Sequence, residues 1–170
     1  MISGSESASL LADSPKQYIF HCSRDGDEEI YVRGNDKPLW IFRTKHQHDL
    51  SLPELSFSDT SGRELLTAKC ARRYLPTIFV IAVNGVPICT VKQQSIFLNK
   101  YSLEFNSGVK WTFYMPLFSV QYKGTSAAGD EVRVRMVRHD TWQVEIDQNV
   151  DNLHLVAALS LIHRERKRFS

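Results

Sequence analysis

From Tyr18 to Ile146 the chain alternates apolar and polar residues with a period of two, and short turn signals interrupt it every five to ten residues or so. The pattern predicts strands over Tyr18–Cys22, Glu29–Arg33, Leu39–Arg43, Leu55–Ser58, Glu64–Cys70 and Ile78–Val83. Further strands follow over Val86–Val91, Tyr101–Phe105, Val109–Tyr114 and Phe118–Tyr122. Val132, Val134 and Met136 then alternate with Arg133 and Arg135, and Trp142, Val144 and Ile146 alternate with Gln143 and Glu145. Between these runs lie Arg24-Asp25-Gly26-Asp27, Gly34-Asn35-Asp36, Asp59-Thr60-Ser61-Gly62 and Asn106-Ser107-Gly108, while Gly124 to Asp130 reads as a small-residue loop. The sharpest hairpin is centred on Asn84-Gly85, a pair that supplies the two positive φ angles of a type I′ turn. Pro87, just beyond it, cannot donate to a ladder and should face an edge or a bulge.

The last stretch has a different period. From Leu153 to Ile162 apolar residues follow one another almost without a break (Leu155, Val156, Ala157, Ala158, Leu159, Leu161), so a helix over about 151–167 would be apolar on every side. Asp151 is placed to cap its first turn. Such a helix must be surrounded by protein. Its apolar run is about half of what a bilayer span requires. About a dozen strands in hairpins leave exposed edges unless the sheet closes, and a closed barrel that wide needs something to fill it. The expected fold is therefore mainly β, an approximately twelve-stranded closed barrel wrapped around a buried hydrophobic C-terminal helix. The basic run His163-Arg164-Glu165-Arg166-Lys167-Arg168 marks where that helix emerges into water and complements its C-terminal dipole.

Composition adds limits. At 170 residues one domain is the simplest organisation, with residues 1–16 a disordered Ser-rich arm and 17–170 the barrel. The 21 basic and 19 acidic side chains leave a net charge of +2, which gives no global field for nucleic acid. Cys22, Cys70 and Cys89 are scattered without a C-x-x-C spacing, so reduced thiols in a cytoplasmic protein are expected. The start has no early positive charge and too short an apolar stretch for a secretory leader, and a monomer is expected.

The chemistry-bearing residues point away from catalysis. There is no G-x-S-x-G, no Gly-rich phosphate loop and no H-E-x-x-H, and neither an enzyme activity nor a cofactor is expected. His46 and His48 with Asp49 have the spacing of a metal pair but sit in a polar segment that reads as a solvated loop, so no metal site is assigned. His139-Asp140 reads as a turn, and His154 as a core histidine. Trp40, Tyr74 and Phe97 are read as core residues. The binding candidates are basic. Arg133 and Arg135 share the polar face of one strand, with Arg138 beyond them. Lys69, Arg72 and Arg73 form a second cluster, and Lys92 and Lys110, with Lys100 and Lys123, lie on or near other strands. Arginine forks and lysine point charges suit phosphate if some of them converge; dispersed, they only keep an outward β surface soluble.

The hairpin series, stretches such as FSDTSGRELLTAK (57–69) and VNGVPICTVKQQ (83–94), and the closing VDNLHLVAALSLI (150–162) resemble the tubby C-terminal-like superfamily. That superfamily includes the tubby proteins, the phospholipid scramblases and the plant LURP-one-related proteins. The resemblance covers about residues 18–168 and is nearest in size to the LURP-one-related and fungal tubby-like proteins. It implies a non-enzymatic module that binds anionic phospholipid headgroups, phosphoinositides among them, at a cytoplasmic membrane surface. The chain lacks the Cys-rich cluster and C-terminal span of a scramblase, and no functional residue is carried over from the family. A protein-interaction or regulatory scaffold without lipid affinity is the alternative. A lipocalin-type ligand barrel is a third reading, disfavoured because the helix would plug its cavity.

Overall fold

A computed structural model describes residues 16–23, 27–45, 54–72, 77–95, 100–116, 119–147 and 152–168. They form twelve strands and one helix. The strands are β1 (Lys16–Cys22), β2 (Glu28–Val32), β3 (Trp40–Thr44), β4 (Glu54–Asp59), β5 (Glu64–Arg72) and β6 (Ile78–Val83). They continue as β7 (Val86–Ser95), β8 (Lys100–Phe105), β9 (Lys110–Tyr114), β10 (Gln121–Ser126), β11 (Glu131–Arg138) and β12 (Thr141–Ile146). The helix α1 spans Asn152–Arg168. Each strand pairs antiparallel with its neighbours in the chain, and β1 pairs with β12, so the sheet closes into an up-and-down barrel without a free edge.

The two ends of the barrel differ. The connections β2–β3, β4–β5, β6–β7, β8–β9 and β10–β11 lie at one end, and each holds a glycine at positive φ. At the β6–β7 turn Asn84 has φ 49° and Gly85 φ 79°, the left-handed pair that the Asn-Gly signal demands. Pro87 sits where the ladder slips between Ile81 and Ala82, so its missing N–H falls at a bulge. The other end, here the loop end, carries the remaining strand connections.

Period-two alternation sends one set of side chains inward. Phe20, Ile30, Phe42, Phe57, Leu66, Ile81, Leu103, Trp111, Phe113, Val132 and Val144 line the wall. They close on α1, in which every residue from Leu155 to His163 is buried. Facing Phe79, Val91 and Tyr101, Leu161 and Ile162 leave about 10 Å³, room for roughly one water and too little for a lipid-sized ligand. The helix begins at the turn end, where His154 lies beside Ile88 and Phe105. It leaves at the loop end, where the Arg164 guanidinium hydrogen-bonds Thr44 Oγ1. The outward positions are mostly Ser, Thr, Lys, Arg and Glu.

Five expectations change. The strand expected over Phe118–Tyr122 begins only at Gln121, and Gly124 to Ser126 belong to β10 rather than to a loop. Gly124 stands opposite Phe113 on β9 and Val132 on β11. A Cβ there would lie 2.1 Å from Phe113 Cε1. The small residue is thus set by the ring that crosses its backbone and not by a turn, a reason invisible in local sequence. His163 does not belong to the solvated tail: it is 2% exposed, stacked on Trp142 at 4.9 Å, edge-on to Phe20 and hydrogen-bonded through Nε2 to the Tyr122 hydroxyl. Emergence into water starts one residue later, at Arg164. His154 is only half-buried, because it lies one turn inside the barrel mouth. Lys16, assigned to the arm, is the first residue of β1. The arm's other residues, the Arg24–Gly26 turn signal, His46, His48, Asp49, Tyr74, Phe97 and the Asp151 cap lie outside the described residues.

Candidate anion-binding groove

Registers decide which outward side chains meet. Lys100 pairs with Tyr114, Tyr114 with Lys123, Lys123 with Arg133, Arg133 with Glu145, and Glu145 with Gln17. Gln17 accepts from the Arg33 backbone N–H at 3.0 Å, and its Oε1 accepts from the Arg33 guanidinium. These seven residues form one row around the outside of the wall from β8 to the end of β2. The next row toward the loop end holds Gln121, Arg135 and Gln143 in register. Lys100 apart, the rows line an outward groove of about 940 Å³ across β9–β12 and β1, with Thr112, Thr125 and Ser119 completing its polar lining.

The cations in it are held differently. Arg133 faces three carboxylates, with Glu145 at 2.6 Å, Glu131 at 2.9 Å and Asp147 at 3.7 Å. The hydrogen bond to Glu145 above all, helped by the charges of Glu145, Asp147 and Glu131, raises its pKa above the ordinary arginine value against the opposing cost of burial. Arg133 is therefore the neutralised anchor of the groove. Lys123 reaches Glu131 at 3.3 Å. Arg135 instead donates to the Gln143 side-chain carbonyl at 3.0 Å, and Arg33 donates to Gln17. A neutral amide orients a guanidinium without cancelling its charge, so Arg33 and Arg135 present theirs to the groove.

Of the basic residues singled out in sequence, Arg133, Arg135 and Lys123 meet in this groove, Lys100 continues its row onto β8, and Arg138 lies at the loop-end tip of β11. The others do not converge with them. Lys69 and Arg72 are on β5, six strands away, where Lys69 approaches Glu54 at 3.9 Å. Lys92 is outward on β7, and Lys110 at the turn end of β9 meets Glu104 at 3.6 Å. Arg73 lies outside the described residues. Sequence reading missed Arg33, Tyr114 and the three glutamines as groove residues. Arg33 is distant in sequence, and only the β1–β12 closure brings it, through Gln17, into the groove.

The other candidate chemistries resolve locally. At the β11–β12 turn Asp140 accepts from Thr141 Oγ1 at 2.9 Å, and His21 Nδ1 lies 3.2 Å from the same hydroxyl. The Thr141 bond above all holds the Asp140 carboxyl below its ordinary range. Among the described residues no cluster of three His, Cys, Asp or Glu has metal-binding geometry. No described helix is long and apolar enough to cross a membrane. A second concavity of about 450 Å³ at the turn end is lined mainly by apolar groups, including Ile88, Phe105, Val109 and Trp111, beside His154. No protein-family model matches the chain, and no curated protein shows significant similarity to it.

Proposed function

We propose that this chain is a non-enzymatic, tubby-like module that binds anionic phospholipid headgroups at a cytoplasmic membrane surface through the groove over β9–β12 and β1. One observation carries the reading: two of the groove's four cations, Arg33 and Arg135, are oriented by glutamine amides and keep their charge available. The polar surroundings suit a hydroxylated, phosphorylated headgroup, since Gln121, Thr112, Thr125 and Ser119 offer donors and acceptors beside the guanidinium forks. The barrel closed around an axial helix is the architecture that the tubby-like resemblance implies.

Magnitude sets the expectation. Each cation near an anionic surface contributes about 1 kcal/mol, so four would enrich the protein there roughly a thousandfold at low salt. Arg133 and Lys123 already have carboxylate partners and contribute less, so a headgroup carrying several phosphates is the best match. The test is co-sedimentation with neutral, phosphatidylserine and phosphoinositide vesicles at two salt concentrations. The wild type should bind anionic vesicles and release them at high salt. An Arg33→Gln/Arg135→Gln variant should lose most of that binding while melting like the wild type. Absence of binding to every vesicle would overturn the reading and leave a protein-interaction scaffold.

A further inference from the structure

The groove runs toward the loop end, and there the outward face stops being polar. On β11 the outward row Arg133, Arg135 continues to Val137, which is 51% exposed. Across the ladder Val120, whose carbonyl accepts from the Met136 N–H at 2.7 Å, is 52% exposed. Tyr114 is 50% exposed, and Pro116 is exposed just after β9. Pro116, Val120 and Val137 thus stand toward the loop end, with Tyr114 set back in the row of Lys123 and Arg133. Cations surround them: Arg135 and Arg138 on either side of Val137, and Lys100 and Lys123 on either side of Tyr114. Among the described residues Arg135, Arg138 and Lys100 have no carboxylate partner.

We propose that this edge, Pro116, Val120 and Val137, inserts into the interfacial layer of an anionic bilayer while the groove above it, Tyr114 included, holds headgroups. The inference rests on the headgroup reading and adds to it the orientation of the barrel, loop end toward the membrane. The spacing supports it. Arg135 and Val137 are two residues apart on one strand, about 7 Å along the wall. An interfacial apolar face sits about 5–10 Å into the headgroup–acyl boundary, so an arginine at phosphate level places the valine in its reach. Isolated exposed apolar residues are ordinary on a soluble surface; a group of three beside Arg135 and Arg138, neither with a carboxylate partner among the described residues, matches a negatively charged apolar medium. The helix also emerges at this end, and the chain from Arg164 carries four of its last seven residues as Arg or Lys.

The experiment compares the wild type with Val120→Ser/Val137→Ser and Arg33→Gln/Arg135→Gln on phosphoinositide-containing vesicles over a range of salt. Both valines are already half in water, so the serine variant should fold and melt normally. Placing their remaining exposed surface back in water should weaken vesicle binding about ten- to a hundredfold at every salt concentration, with the slope against salt unchanged. The arginine variant should instead flatten that slope. A Val137→Trp reporter should shift its emission to the blue on binding and be quenched by acyl-brominated lipid. If the serine variant binds like the wild type, or the reporter is not quenched on bound vesicles, insertion is refuted while the headgroup reading stands. If the wild type binds no vesicle, both fall.

Discussion

Gly124→Ala is the substitution that tests the wall of the barrel most directly. An alanine Cβ at this position would lie 2.1, 2.4 and 2.6 Å from Phe113 Cε1, Cδ1 and Cζ. An ordinary contact needs at least about an ångström more, so the ring has to move as a unit. Phe113 is 0% exposed and touches Trp111 and Tyr122, which leaves it nowhere to go without disturbing the lumen. Overpacking of this kind costs about 1–3 kcal/mol, and a displacement this large belongs at the upper end. Against it stands the reduced entropy of the unfolded chain, since Gly124 has no positive φ and alanine there gains about 0.4–1 kcal/mol. The net expectation is a loss of about 2 kcal/mol, read as a fall in Tm of about 4–8 °C for a chain of this size. Circular dichroism melts and urea titrations check it. Adding Phe113→Leu should recover part of the loss, because the shorter side chain vacates the place the methyl needs, with a coupling energy of about 1 kcal/mol or more. If 124–130 were a loop, Gly124→Ala would be neutral or stabilising. A Gly124→Ala protein that melts at or above the wild-type temperature would therefore refute both the ring contact and the placement of β10.

Leu159→Asp, at a position 0% exposed on the barrel axis, buries a charge without a partner and should abolish cooperative melting; a soluble variant with a sharp transition would show that the helix does not form the core. Burial pushes the Cys89 thiol up to about 12, so a thiol-specific reagent near pH 8 should modify half-buried Cys22 well before Cys89, with all three cysteines reacting after denaturation; equal rates in the native protein would contradict the packing. Asp59 organises the β4–β5 turn by accepting from the Ser61 hydroxyl at 2.6 Å and from the Ser61 and Arg63 N–H groups at 3.0 Å each, and the Ser61 hydroxyl above all lowers its pKa below 3.8. A depressed folded pKa stabilises fully above the unfolded value and is lost as pH falls through the folded one. The gap in Tm between wild type and Asp59→Ala should accordingly be widest near neutrality and shrink as the pH is taken below 3.8; a gap that stays constant with pH would show that the carboxylate charge plays no part.

Much of the architecture lies in local pattern. Alternation at Leu55 and Phe57, or at Trp142, Val144 and Ile146, puts one face of each strand inward whatever its neighbours are, because the side-chain period of a strand is two. Asn84-Gly85 dictates its own turn. The apolar run from Leu155 to Ile162, broken only by Ser160, requires burial on all sides, and only a closed lumen provides it. Barrel and axial helix follow from these features by counting strands and asking what fills the space. The failures share one cause. Local propensity makes Gly124 a loop residue, but a ring on the neighbouring strand decides its place. Sequence context groups His163 with the arginines that follow it, whereas the helix phase turns it toward Trp142 and Phe20, which come from opposite ends of the sequence.

The candidate groove was half legible for the same reason. That Arg133 and Arg135 face outward together is a property of one strand. That Glu145 and Asp147 help neutralise the first while Gln143 leaves the second charged is a property of register, which pairs β11 with β12. Arg33 and Gln17 enter the groove only because β1 closes the sheet against β12. Period and turn chemistry act over a few residues and can be read along the chain; charge compensation acts through space, over distances of about 3–4 Å, and is settled only when strands distant in sequence are brought side by side.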